Sequence, residues 1–144
     1  LRLICGEDLQ YSGTLTKGSG LKISYLPQDT GDLEGDLADY ARRYGIEESL
    51  FKSTLRKLGF PRIQFEKDLA DYSGGQKKKV LLARSLCERA HLYLWDEPLN
   101  YIDVISRIQI TELLLEHRAT LLFVEHDRAF CDEVATREYV LSPL

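Results

Sequence analysis

Methionine is absent from all 144 residues, and the chain opens on leucine. Translation starts on Met, and removing that Met leaves a small residue rather than Leu1. The expectation is therefore a piece of a longer protein, cut at its start. Long apolar runs are missing too. The longest are four residues, as in Val80 to Ala83, Leu92 to Trp95 and Leu121 to Val124, against the ~20 of a membrane-spanning helix. No basic-then-apolar leader stands at the start. The three cysteines, Cys5, Cys87 and Cys131, are widely spaced, with no CxxC and no Cys/His metal spacing. That pattern reads as reduced thiols and a cytoplasmic location. A basic excess is also lacking. Lys and Arg total 19 against 23 Asp and Glu, a net charge of −4. This excludes a globally basic nucleic-acid binder, though not a local patch at Arg42, Arg43 or Lys77 to Lys79. Core material is plentiful. With 44% apolar residues, the chain is neither disordered nor too poor to fill a single domain.

The pattern changes along the chain. Leu1 to Gly6 reads as a helix tail with a glycine stop. Residues 13–17 and 21–26 alternate around Gly18-Ser19-Gly20, which predicts a β-hairpin. From Leu33 to Leu58 apolar residues recur at three- and four-residue steps, and Gly45, Gly59 and Pro61 punctuate the run, so 36–72 reads as a small helical subdomain. Beyond Ser73, helix and strand alternate. A helix runs to about Glu88, a short apolar strand covers 92–95, and a helix covers 104–117. Residues 120–124 form a second apolar strand, a helix opens at Asp127, and 138–141 is a final strand. Short, wholly apolar strands between helices predict an α/β fold with a mostly parallel sheet buried on both faces.

Chemistry concentrates at the strand ends. Leu92 to Trp95 run into Asp96-Glu97-Pro98, placing two carboxylates at the carboxyl edge of the sheet, where open α/β sheets bind ligands. Asp96 suits Mg²⁺, and Glu97 suits a water attacking a phosphate. Ser73-Gly74-Gly75-Gln76 opens a helix, whose free N–H groups favour an anion. His126 follows the strand ending at Val124 and is placed to contact a phosphate or orient water. Gln28 follows the strand ending at Leu26, and its amide oxygen can bind a metal or a water.

Taken in order, these segments resemble the nucleotide-binding domain of an ATP-binding cassette (ABC) ATPase. Gln28 matches the Q-loop and Ser73 to Gln76 the signature. Leu92 to Glu97 match the Walker B strand with its catalytic glutamate, Leu99 to Asp103 the D-loop, and His126 the switch histidine. Trp95 to Asp103 (WDEPLNYID) and Val124 to Asp132 (VEHDRAFCD) resemble the ABC-F subfamily, whose common forms are near DEPTNHLD and SHDRxFLD. They look most like the second cassette of antibiotic-resistance members that protect ribosomes. Leu99, Tyr101 and Tyr72 depart from the usual residues.

The resemblance implies a P-loop-NTPase-like domain, truncated at its N-terminus, with a helical subdomain inserted in the sheet. Its parts are 1–35 with the Q-loop, 36–90 with the signature helix, and 91–144 with Walker B and the switch histidine. It implies catalytic roles for Glu97 and His126. Nucleotide contacts fall to Gln28, Ser73, Gly74, Gly75, Gln76, Asp96 and Asp103, and magnesium to Asp96 and Gln28. The resemblance also implies ATP and Mg²⁺ as cofactors. As partners it implies a second cassette, paired head to tail, and the ribosome with its rRNA and tRNA; the ATP-binding subunit of a transporter is the alternative function. The family's phosphate cradle, GxxxxGK(S/T), occurs nowhere in the chain. The nearest run, Gly13 to Gly18, is followed by Ser19-Gly20. The piece alone is therefore expected to be inactive and, with sheet strands missing, to self-associate.

Overall fold

The computed structural model describes residues 1–141; Ser142 to Leu144, the end of the 91–144 segment, lie outside the described residues. Among the described residues three strands make one parallel sheet in the order β1-β2-β3. They are β1 (Ile23–Leu26), β2 (Leu92–Asp96) and β3 (Leu121–Val124). Ile23 lies opposite Leu92, and Tyr93 opposite Leu121. Parallel pairing sends all three carboxyl ends to one edge. Central β2 buries Leu94 and Trp95 completely, as a strand covered on both faces must.

The helices are α1 (Arg2–Cys5), α2 (Leu37–Arg43), α3 (Glu48–Lys57), α4 (Gly74–Cys87), α5 (Val104–His117) and α6 (Arg128–Val134). Between β1 and β2 the chain builds a helical layer from α2, α3 and two short 3₁₀ turns, Arg62–Glu66 and Leu69–Asp71. Asp36 caps α2 by accepting from Asp39 N at 2.7 Å. Gly45, at φ 65°, breaks the run between α2 and α3. The apolar steps read from the sequence become this layer's core, with Leu37, Tyr40, Phe51, Leu55, Leu58 and Leu69 nearly or wholly buried.

Helix α4 joins that layer to the sheet. Val80 to Leu86 are buried along it. A polar pin crosses the contact: Ser85 Oγ accepts from Trp95 Nε1 at 2.8 Å and lies 2.7 Å from Ser24 Oγ. Buried hydroxyl and indole groups are thus satisfied, and β1, β2 and α4 are fixed in register.

Two expectations fail. Residues 13–17 form no strand, and β1 pairs with β2 rather than in a hairpin. Residues 138–141 form no strand either and are exposed. Residues 13–17 alternate and 138–141 are rich in strand-favouring side chains, but among the described residues no neighbouring strand takes the hydrogen bonds of either.

Candidate active site

The parallel register delivers Gln28, Asp96, Glu97 and His126 to the same sheet edge. Glu97 sits at their meeting point. Its Oε2 accepts from Gln28 Nε2 at 3.0 Å and from Asn100 Nδ2 at 2.6 Å. Its Oε1 lies 3.7 Å from His126 Nε2. Two amides therefore fix one carboxylate oxygen and leave the other facing the imidazole. The Glu97 side chain is 21% exposed and that of His126 82%, so solvent or a ligand reaches this pair from the histidine side. Glu97 holds a left-handed backbone, φ 46°, while its N–H continues the ladder to Val124 O at 2.9 Å. Non-glycine residues adopt that conformation at a cost and commonly at functional sites.

Asp96 is partly exposed, and its Oδ2 receives only a 3.5 Å contact from the Tyr25 hydroxyl. Gln28 gives Nε2 to Glu97 and keeps its amide oxygen. Among the described residues no group of three or more His, Cys, Asp or Glu is placed to hold a metal. A carboxylate and an amide oxygen are a hard-cation donor set too small to cage an ion. They fit magnesium, which takes one or two protein oxygens and fills its octahedron with phosphates and water.

The Ser73 turn is a complete capping box. Ser73 Oγ accepts from Gln76 N at 3.2 Å, and Ser73 N donates to Gln76 Oε1 at 2.9 Å. Serine and glutamine satisfy each other, leaving the Gly74 and Gly75 N–H groups at the positive end of α4 for an anion. A Cβ on Gly75 would stand 2.6 Å from Tyr101 O. Glycine is thus demanded here by the close approach of the 97–103 loop, which joins the signature turn to Glu97.

Asp103 caps α5, accepting from Ser106 N at 2.9 Å and Ser106 Oγ at 2.7 Å, with Lys79 Nζ at 3.2 Å. The Ser106 hydrogen bonds, with Lys79 assisting, hold its carboxyl well below the usual range. Asp103→Ala will lower stability by about 1 kcal/mol, the usual cost of losing such a cap. Because the folded pKa is depressed, the wild-type advantage is full above about pH 5 and shrinks as pH falls below about 4. Thermal melts of both forms at pH 7 and in that acid range check this; a pH-independent gap would contradict it.

Three supporting residues escaped the sequence reading. Asn100 holds Glu97. Glu125 ties two loops together: its Oε2 accepts from Leu99 N at 3.1 Å and its Oε1 from His126 N at 2.8 Å. Lys78 corrects the reading of Lys77 to Lys79 as a local basic patch, because it is 0% exposed. Burial pulls its pKa down to about 8, opposed by the nearby Asp96, Glu97, Glu125 and Asp29.

The family model described as ABC transporter matches residues 1–100. The chain belongs to the ABC transporter family of ATP-binding proteins. Its relatives include ATP-binding proteins and a ribosome protection protein. The ATP-binding protein Uup-like of Haemophilus influenzae is 31% identical over 97% of the chain and 32% of its own length. The ribosome protection protein VmlR of Bacillus subtilis is 29% identical over 99% of the chain and 26% of its own length. A crystallised archaeal ribosome recycling factor, in complex with a ribosomal stalk protein, superposes with a TM-score of 0.72 at 27% identity, covering 93% of this chain and 27% of that one. The chain thus spans about a quarter to a third of these proteins. The ABC parallel sheet and helical layer agree with the sequence expectation, except that the sheet is not buried on both faces throughout: edge strand β3 leaves Leu122 and Val124 exposed. Among the described residues no helix is long and apolar enough to cross a membrane.

Proposed function

We propose that this chain is the larger part of one ABC-F nucleotide-binding domain, whose whole protein binds and hydrolyses ATP to engage and leave the ribosome. The observation that carries the hydrolytic part is the Gln28–Glu97–Asn100 cluster with His126 alongside. Glu97 is the base that polarises the attacking water. Gln28 and Asn100 hold its carboxylate in place, and His126 senses the terminal phosphate from the solvent side. Asp96, with the Gln28 amide oxygen, would hold Mg²⁺, which when bound with ATP offsets phosphate charge. Gly74 and Gly75 offer their N–H groups to a nucleotide held by a second cassette, with Ser73 and Gln76 bracing the turn and Asp103 bracing α5 behind it. The ribosome assignment is supported by the ribosome protection and ribosome recycling proteins among the relatives.

The test uses the full-length protein and the 144-residue chain side by side. The full-length protein will co-sediment with ribosomes in an ATP-dependent way. The chain alone, having no GxxxxGK(S/T), will show no micromolar Mg-ATP affinity by calorimetry. Association with membrane vesicles and none with ribosomes would instead favour a transporter's ATP-binding subunit.

A further inference from the structure

After Gly74-Gly75-Gln76, helix α4 carries three successive lysines, Lys77 to Lys79, and helical geometry turns each by about 100° from the last. Lys77 is partly exposed, and Lys79 reaches Asp103 at 3.2 Å. Lys78 points inward. Its Nζ donates to Pro27 O at 2.9 Å and Gln28 O at 3.0 Å. Both carbonyls belong to the turn leaving β1. The second is the backbone of the very residue whose side chain donates to Glu97 Oε2.

Such a charge is an expensive way to build a core. An ammonium taken out of water costs free energy unless it is well paired. Among the described residues Lys78 has no carboxylate within ion-pair distance; its hydrogen bonds go to neutral carbonyls. Methionine would fill similar space without the penalty, so packing does not explain the lysine. Its position does. It stands one turn beyond Gly74 and Gly75 on α4 and grips the Gln28 backbone from below.

We propose that Lys78 is a positioning residue for the hydrolytic site: its buried ammonium clamps the 27–28 backbone, so that Gln28 presents its amide to Glu97, and ties that turn to the helix opened by Ser73–Gln76. The catalytic part of this inference rests on the hydrolytic role proposed above; the clamp itself rests on geometry alone.

Lys78→Met tests both parts. In the 144-residue chain, backbone order parameters by ¹⁵N relaxation will fall at Gln28 and Asp29 from about 0.85 to under about 0.6. Those of β2 and α4 will hold, and the melting temperature will stay close to wild type, because a buried charge has been removed. Unchanged order at Gln28, or a loss spread evenly over the sheet, overturns the clamp. In the full-length protein kcat will fall about ten- to a hundredfold, the scale of a misplaced catalytic group, with little change in KM for ATP. Lys78→Met combined with Gln28→Ala will be no slower than Gln28→Ala alone; additive losses overturn the positioning role. Should Lys78→Met not fold, Lys78→Gln read in the same two ways decides. If the wild-type full-length protein hydrolyses no ATP, the hydrolytic reading fails, and the relaxation result still decides the clamp.

Discussion

Glu97→Gln in the full-length protein will lower kcat for ATP hydrolysis by about 10² to 10⁴-fold, the usual worth of a general base, while ATP binding persists. The geometry makes this substitution unusually clean. Gln28 Nε2 and Asn100 Nδ2 both donate to Glu97 Oε2, and a glutamine amide oxygen can accept from both. The loop conformation should therefore survive, so the melting temperature stays near wild type. What is lost is the second carboxylate oxygen beside His126, the atom able to take a proton. On the proposed ribosome role, the nucleotide-bound state then outlives its normal lifetime and the ATP-dependent ribosome complex accumulates. His126→Ala gives a useful contrast. Its side chain is 82% exposed and contributes little to the fold, so hydrolysis should slow with ATP affinity nearly intact. Unchanged turnover in Glu97→Gln would remove the glutamate from the chemistry.

Much of this site was legible because two of its strands, β2 and β3, are built on short, wholly apolar runs. Leu92 to Trp95 and Leu121 to Val124 announce parallel strands, although Leu122 and Val124 on edge strand β3 are exposed, and the residues after them must then emerge at a common edge. Ser73 and Asp127 were legible as caps from side-chain chemistry alone. The misread hairpin has a physical cause. Gly18-Ser19-Gly20 is a real turn signal, but Ile23 finds its partner at Leu92, and no local pattern reports a contact that distant in sequence. The 138–141 segment repeats the lesson, since residues that favour a strand do not form one without a partner. Lys78 was legible in principle. Three consecutive residues cannot share one helix face, so at least one of the lysines had to turn toward the packed side of α4. Charge alone argued otherwise, and the Pro27 and Gln28 carbonyls that satisfy it lie some fifty positions away.

Gly75→Ala will destabilise the chain, whereas Gly74→Ala will not, although the two glycines are adjacent in one helix turn. Propensity alone favours alanine at both, by about 0.5–1 kcal/mol. The surroundings separate them. A Cβ on Gly74 would meet the Tyr101 ring at 3.7 Å, an ordinary contact, but on Gly75 it would stand 2.6 Å from the Tyr101 carbonyl oxygen. That oxygen belongs to backbone with little room to yield. Tyr101 is already in a left-handed conformation at φ 64°, and Leu99 and Ile102 on either side are buried. Overpacking of this kind costs about 1–3 kcal/mol, which exceeds the propensity gain and lowers the melting temperature by a few degrees. The displacement also has a direction. Pushing Tyr101 away from α4 pulls on Asn100, which holds Glu97 at 2.6 Å, so the full-length Gly75→Ala protein should lose turnover as well as stability. Melting curves of both alanine variants measure the first effect, and turnover in the full-length background the second. A Gly75→Ala chain as stable as wild type would mean that the 97–103 loop relaxes freely, and that the signature turn and Glu97 are not mechanically joined through it.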